Sequence, residues 1–143
     1  MKLENFKLAD DNIAFEQGDN YYDIHNNFDF TGFNYNINKK EIVLNWVKGT
    51  GNWVPENSPK SIHFIIRDVY LFKAKERDAE MPFTEDDCLN CIGFLWNDLI
   101  EEMGGYYSHE PKENCTHLSI EFMSGLALKI GADTALLKVI NKD

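Results

Sequence analysis

Hydrophobic and polar residues alternate on both sides of Ser124-Gly125. Leu118, Ile120 and Phe122 alternate with Ser119, Glu121 and Met123, and Leu126, Leu128 and Ile130 alternate with Ala127 and Lys129. A period of two flanking a Ser-Gly dipeptide predicts a β-hairpin with one buried face. The same alternation recurs upstream. Phe28 and Phe30 share one strand face, as do Phe33, Tyr35 and Ile37, and Thr31-Gly32 shifts the phase between them. A glycine at a phase shift predicts a bulge or bend. After the polar turn at residues 38–40, Ile42, Leu44 and Trp46 line one face of the next strand, which completes a second hairpin.

Residues 48–60 hold Gly49, Gly51, Pro55 and Pro59 and read as a long loop carrying Trp53. Residues 61–75 are extended again, with Ile62, Phe64 and Ile66 on one face and the phase interrupted at Arg67-Asp68. Thr84-Glu85-Asp86-Asp87 has the composition of a helix cap. Residues 88–103 fit two patterns. Leu89, Ile92, Trp96 and Leu99 keep helical spacing, whereas Ile92, Phe94 and Trp96 alternate. Gly93, Asn90 and the bulky rings are poor helix formers, so a strand is expected over 89–96 and a short helix over 98–103. Residues 104–116 read as a polar loop. Residues 132–140 suit a last strand or a helical turn, and residues 1–20 a short arm or a first strand around Ile13 and Phe15. The expected fold is a single β-rich domain over residues 1–143. It is mainly antiparallel, a two-layer sandwich or a strongly curved sheet of about six to nine strands with one or two short helices.

Composition agrees. Of the 143 residues 13% are aromatic, which suits pleated, half-buried surfaces. The formal charge of −10, without a basic cluster, opposes nucleic-acid binding and fits either solubility or attraction to a basic partner. No apolar run approaches the length of a membrane span, and the first residues lack the apolar stretch of a signal peptide. Three cysteines are too few and of the wrong parity for a disulfide framework. The expected setting is the cytoplasm, where the sequon at Asn114 carries no meaning.

Four sets of residues bear on chemistry. Cys88-x-x-Cys91 with Cys115 and His117 has the inventory of a tetrahedral zinc site, but Cys-x-His is not a usual second knuckle. Buried apolar thiols are the expectation, and no metal or cofactor is expected. Asp23 and His25 could share a strand face as an acid–base pair, yet no nucleophile accompanies them and no catalytic residue is assigned. Glu85, Asp86 and Asp87, near Asp78 and Glu80, are consecutive and cannot converge like the ligands of an EF-hand; a solvated turn is the plain reading. Among the aromatics, Trp46 fits the core, while Trp53, Tyr106 and Tyr107 lie in polar loops and are candidates for an exposed binding surface. No glycine-rich phosphate loop or zinc-protease motif occurs.

The Tyr-x-x-His-Asn opening (Tyr22, His25, Asn26), the Ile42-x-Leu44-x-Trp46 strand, the Ile62, Phe64, Val69, Phe72 segment and the closing Ser-Gly hairpin resemble small uncharacterised bacterial β-rich domains. Some of these are associated with polymorphic toxin systems as immunity proteins. The resemblance covers most of the chain and carries over no functional residue. It implies a non-enzymatic cytoplasmic protein that neutralises a toxin by binding it. The leading expectation is therefore a protein-binding domain of immunity or inhibitor type. It would meet a basic protein partner through Trp53, Tyr106, Tyr107, Glu85, Asp86 and Asp87, with neither nucleic acid nor membrane involved. The alternative is a small-ligand-binding β domain with an aromatic-lined cleft at Tyr22, Phe28 or Trp96. The third is an enzyme using the cysteine set or Asp23/His25.

Overall fold

The computed structural model describes residues 1–141. In chain order it contains β1 (Lys2–Leu3), β2 (Lys7–Leu8), β3 (Ala14–Gln17), β4 (Asn20–Asp23), α1 (Ile24–Asn27), β5 (Phe28–Asn36), β6 (Glu41–Lys48), β7 (Ser61–Lys75), β8 (Leu89–Leu95), β9 (His117–Phe122) and β10 (Ala127–Ile140). A 3-10 turn covers Phe83–Asp86. The main sheet runs β5-β6-β7-β10-β9-β8, antiparallel at every step, with β1 laid parallel against the far half of β10. It is mainly β, as expected, and curls into a half-barrel. The strand count exceeds the expected range only through the two-residue strands β1 and β2.

The axis of the sheet is the pairing of β7 with β10, continuous from Ser61↔Ile140 to Lys75↔Ala127. Ile62, Ile65, Ile66 and Val69 give β7 the branched side chains that suit a pleated surface. In β10 small residues open space on the outer face. A Cβ on Gly131 would sit 2.6 Å from Cε2 of Tyr70. The register slips beside this glycine, where Asp68 takes a φ of 58° in the strand opposite. Bulges sharpen local twist. A second one, between Phe30 and Gly32, bends β5 where the phase shift in the sequence indicated.

The concave face holds the core. The small sheet β2-β3-β4 lies across part of it and drives Phe15 into the centre. The Phe15 ring meets Phe6 at 5.6 Å, Phe64 at 5.3 Å and Trp46 at 5.9 Å, all edge to face. Residues 1–20 are therefore a structural lid over half of the barrel, supplying Phe6, Leu8 and Phe15 to the core.

One helical expectation is corrected and one open choice is decided. Residues 98–103 form turns, because their carbonyls are drawn to a lysine side chain instead of to helical amides. Residues 132–140 continue β10 as strand, since the whole segment finds a partner in β7. Conversely, Asp23-Ile24-His25 is not strand throughout. Asp23 ends β4 and caps the single turn of α1 by accepting the Asn26 N–H at 3.0 Å. The strand over 89–95 is present.

The two ends of the sheet differ. The outer edge of β8 is occupied: Ile92 N–H donates to the Asn12 carbonyl at 2.8 Å, Phe94 N–H donates to the Ser108 carbonyl at 2.8 Å, and Asn12 Nδ2 donates to the Ile92 carbonyl at 2.9 Å. The outer edge of β5 receives one backbone bond among the described residues, from Phe30 N–H to the Asp87 carbonyl at 2.8 Å. Because Phe15 lies under three rings and is fully buried, Phe15→Ala is expected to lower unfolding free energy by about 3–5 kcal/mol, read from the denaturant midpoint.

Candidate binding surface

The small sheet covers only one end of the concave face. At the other end Phe33 and Tyr35 of β5 stack on Phe72 of β7 at 5.6 and 5.4 Å, and Phe30 stacks on Phe122 at 4.5 Å. These rings share a face because each pairs across the sheet with an inward residue: Phe33 with Leu44, Tyr35 with Ile42 and Phe72 with Ile130. Phe33 is left exposed, and Phe30, Tyr35 and Phe72 are half-buried. Beside them Pro82 starts the 3-10 turn and holds out Phe83, which is 78% exposed. Phe30, Phe33, Phe83, Leu126, Asp86 and Asp87 wall a groove of about 440 Å³, with Thr31 and Gly32 on its floor.

The acids of this groove are not equivalent. Arg77 donates from Nε to both oxygens of Asp86 at 2.9 and 3.1 Å, and from Nη2 to the Met81 carbonyl at 2.7 Å. Its guanidinium lies 4.2 Å from the centre of the Phe83 ring. A hydrogen bond from Ser124, reinforced by Arg77, holds the Asp86 carboxyl below its usual range. Asp87 shifts the other way: burial, then the nearby charges of Asp29, Glu85 and Asp86, push it up. The groove therefore combines a paired carboxylate that grips an arginine with a crowded set that lacks a matching cation.

A second surface lies on the convex side, where residues 96–107 cross the outer face of β8, β9 and β10. Lys129, fully buried there, donates from Nζ to the carbonyls of Leu99, Ile100 (3.3 Å) and Glu102 (3.1 Å). Lys73 adds a bond to the Ile100 carbonyl at 3.2 Å and a salt bridge to Glu101 at 3.0 Å. Gly93 is required beneath the loop, since a Cβ would stand 2.4 Å from that of Tyr106. The loop exposes Trp96, Leu99, Ile100, Tyr106 and Tyr107. Tyr107 donates to Glu102 at 2.9 Å and its ring meets Trp96 at 6.1 Å.

The residues singled out from the sequence thus fall into three places. Tyr106 and Tyr107 belong to the convex loop. Asp86 and Asp87 line the groove, with Glu85 in the same turn. Trp53 belongs to neither: its ring covers Gly51 and its Nε1 donates to the Asn26 carbonyl at 2.8 Å, although the residue is 68% exposed. Phe33, Phe83 and Arg77 were not singled out. The one signal for Phe83 was its place between Pro82 and the acidic run.

The other candidate chemistries do not assemble. No cluster of metal-ligating side chains occurs among the described residues. Cys88 lies 3.7 Å from His25 Nδ1, Cys91 contacts Glu121 at 3.9 Å, and Cys115 is buried in the core. Burial and neighbouring carboxylates raise the Cys88 thiol, and the same causes push Cys91 up to about 11, so both are held as thiols. His25 is engaged with the Leu89 carbonyl and Asp23 with Asn26, so neither serves the other. Tyr22 and Phe28 border a hollow of only about 160 Å³. Trp96 borders an open one of about 730 Å³ with Asn97, Asp98, Leu99 and Asn114. A hollow of about 870 Å³ on the outer side of β5, β6 and β7 is bordered by Asn45, Trp46, Val47, Ser61 and His63.

Two outcomes follow from the charges. Asp87→Asn is expected to raise the melting temperature at neutral pH, because the folded state disfavours this carboxylate. The gain should shrink as pH falls from the raised folded pKa through the ordinary carboxylate value, below which the group is protonated in both states. Melting curves across that range check the sign. Lys129→Ala should cost about 1–3 kcal/mol by removing the buried donor shared by three carbonyls, and should speed amide hydrogen exchange across residues 97–107 more than in β7. Comparison of the chain with protein families, with curated proteins and with solved structures finds no match.

Proposed function

We propose that this chain is a non-enzymatic protein-binding domain of immunity or inhibitor type, which blocks a basic partner by covering it with an acidic, aromatic face. The observation that carries the reading is the groove at the uncovered end of the half-barrel, where exposed Phe33 and Phe83 stand against Asp86 and Asp87. Rings beside carboxylates are a good seat for arginine and lysine. The ring faces attract the cation, the carboxylates bond it, and partial burial strengthens both. Arg77 already makes this contact within the chain. A basic partner would also relieve the repulsion among Asp29, Glu85 and Asp87. The net charge of −10 adds long-range attraction, which speeds encounter. The rings of the convex loop extend the apolar area available to a large partner.

The test is capture from the native lysate at low and at moderate salt with the parent chain, Phe83→Ala, and the double variant Glu85→Lys with Asp87→Lys. Expected is a basic protein held by the parent chain, weakened by salt and reduced about tenfold or more by either variant. If it is an effector, its activity should fall on addition of the parent chain and survive addition of the double variant. A partner held equally by all three proteins, or no partner in either buffer, would overturn the proposal.

A further inference from the structure

We infer that the groove receives its partner as an extended basic segment added as a strand to the outer edge of β5; this rests on the protein-binding reading above. The two ends of the sheet carry the argument. Loops and Asn12 occupy the edge of β8, so that end is closed to addition. Beyond Phe30, β5 has no strand on its outer side among the described residues. In an antiparallel strand alternate residues direct both N–H and C=O away from their partner, so residues 33–36 present unpaired main-chain groups. Gly32 leaves the approach open, since a Cβ there would meet nothing within 4 Å.

The edge already makes a main-chain bond at one point, where the Phe30 N–H meets, at 2.8 Å, the carbonyl of Asp87 at the end of the 3-10 turn. A strand continuing from that point along residues 31–36 would run directly beside the groove. Its side chains would alternate between the groove and the far face. Those on the groove side would meet Phe33 and Phe83 together with the carboxylate of Asp87, which selects Lys or Arg interspersed with apolar residues. Main-chain bonding supplies affinity in this mode and the pockets supply selectivity, so a generic sequence of the right charge should bind.

The probe is a capped Arg-Val repeat peptide of about ten residues. Three companions are a Glu-Val repeat and two forms of the basic peptide, N-methylated at every Arg or at every Val. Amide chemical shifts of the protein report the site. The expected result is binding of the basic peptide with shifts concentrated in residues 31–36, about tenfold or greater loss for one N-methylated form but not for the other, and no binding of the acidic repeat. Equal affinity of the two N-methylated forms, shifts confined to residues 96–107, binding of the acidic repeat, or no binding of the basic peptide would each overturn the strand-addition mode. If the capture experiment still yields a partner sensitive to Phe83→Ala, the protein-binding reading stands and only its mode fails. If capture fails as well, both fail.

Discussion

The pairing of β7 with β10 is the constraint on which the other elements depend. Ladder bonds run from one end of these strands to the other, and every other strand of the main sheet attaches through them. β9 takes the near half of β10 and β1 the far half, while β6 takes the first half of β7. The long pair must twist, and the slip at Gly131 with the left-handed Asp68 opposite concentrates that twist near its middle. The two halves of the sheet therefore face each other across a hollow instead of lying flat. A lid the size of β2-β3-β4 fills one end, and the other end keeps its rings half-exposed.

That incomplete cover coincides with unfavourable electrostatics. Asp87 sits where burial and the nearby charges of Asp29, Glu85 and Asp86 oppose its own charge, whereas Asp86, one residue earlier, is held by Ser124 and Arg77. Departures from the most stable arrangement tend to fall where a surface has a task besides holding the fold. Exposed rings, an unpaired strand edge and unrelieved negative charge meet within one groove, and each is answered by the same kind of ligand: extended, cationic and partly apolar.

Much of the architecture was legible in the sequence because sheet formation leaves a period of two. The hairpin across Ser124-Gly125, the bulge at Thr31-Gly32 and the buried Trp46 follow from alternation and the placing of glycine. The failures are local. Leu99 keeps helical spacing with Trp96, but a buried cation from β10 claims the carbonyls that a helix would need. Lys129 itself reads as a solvent-facing position in its strand and is fully buried, because a loop covers the face it was expected to expose. The site was half legible. The acidic run was visible, whereas Phe33 looked like one more core ring and Phe83 like a residue in a turn. Their exposure depends on which end of the barrel is covered, a property of the assembled sheet.

The Lys129 contact reads main chain only. Its ammonium donates to the carbonyls of 99, 100 and 102 whatever side chains those residues carry, so this part of the loop's attachment does not depend on the side chains displayed there. Fold and surface are thereby uncoupled at this point. Leu99 and Ile100 can be exchanged without removing the lysine's bonds, and a new apolar face can be tried there while the barrel beneath is unchanged. A protein that must keep pace with a changing partner would gain from such a mount, since its contact residues can drift while its scaffold stays under selection for folding alone.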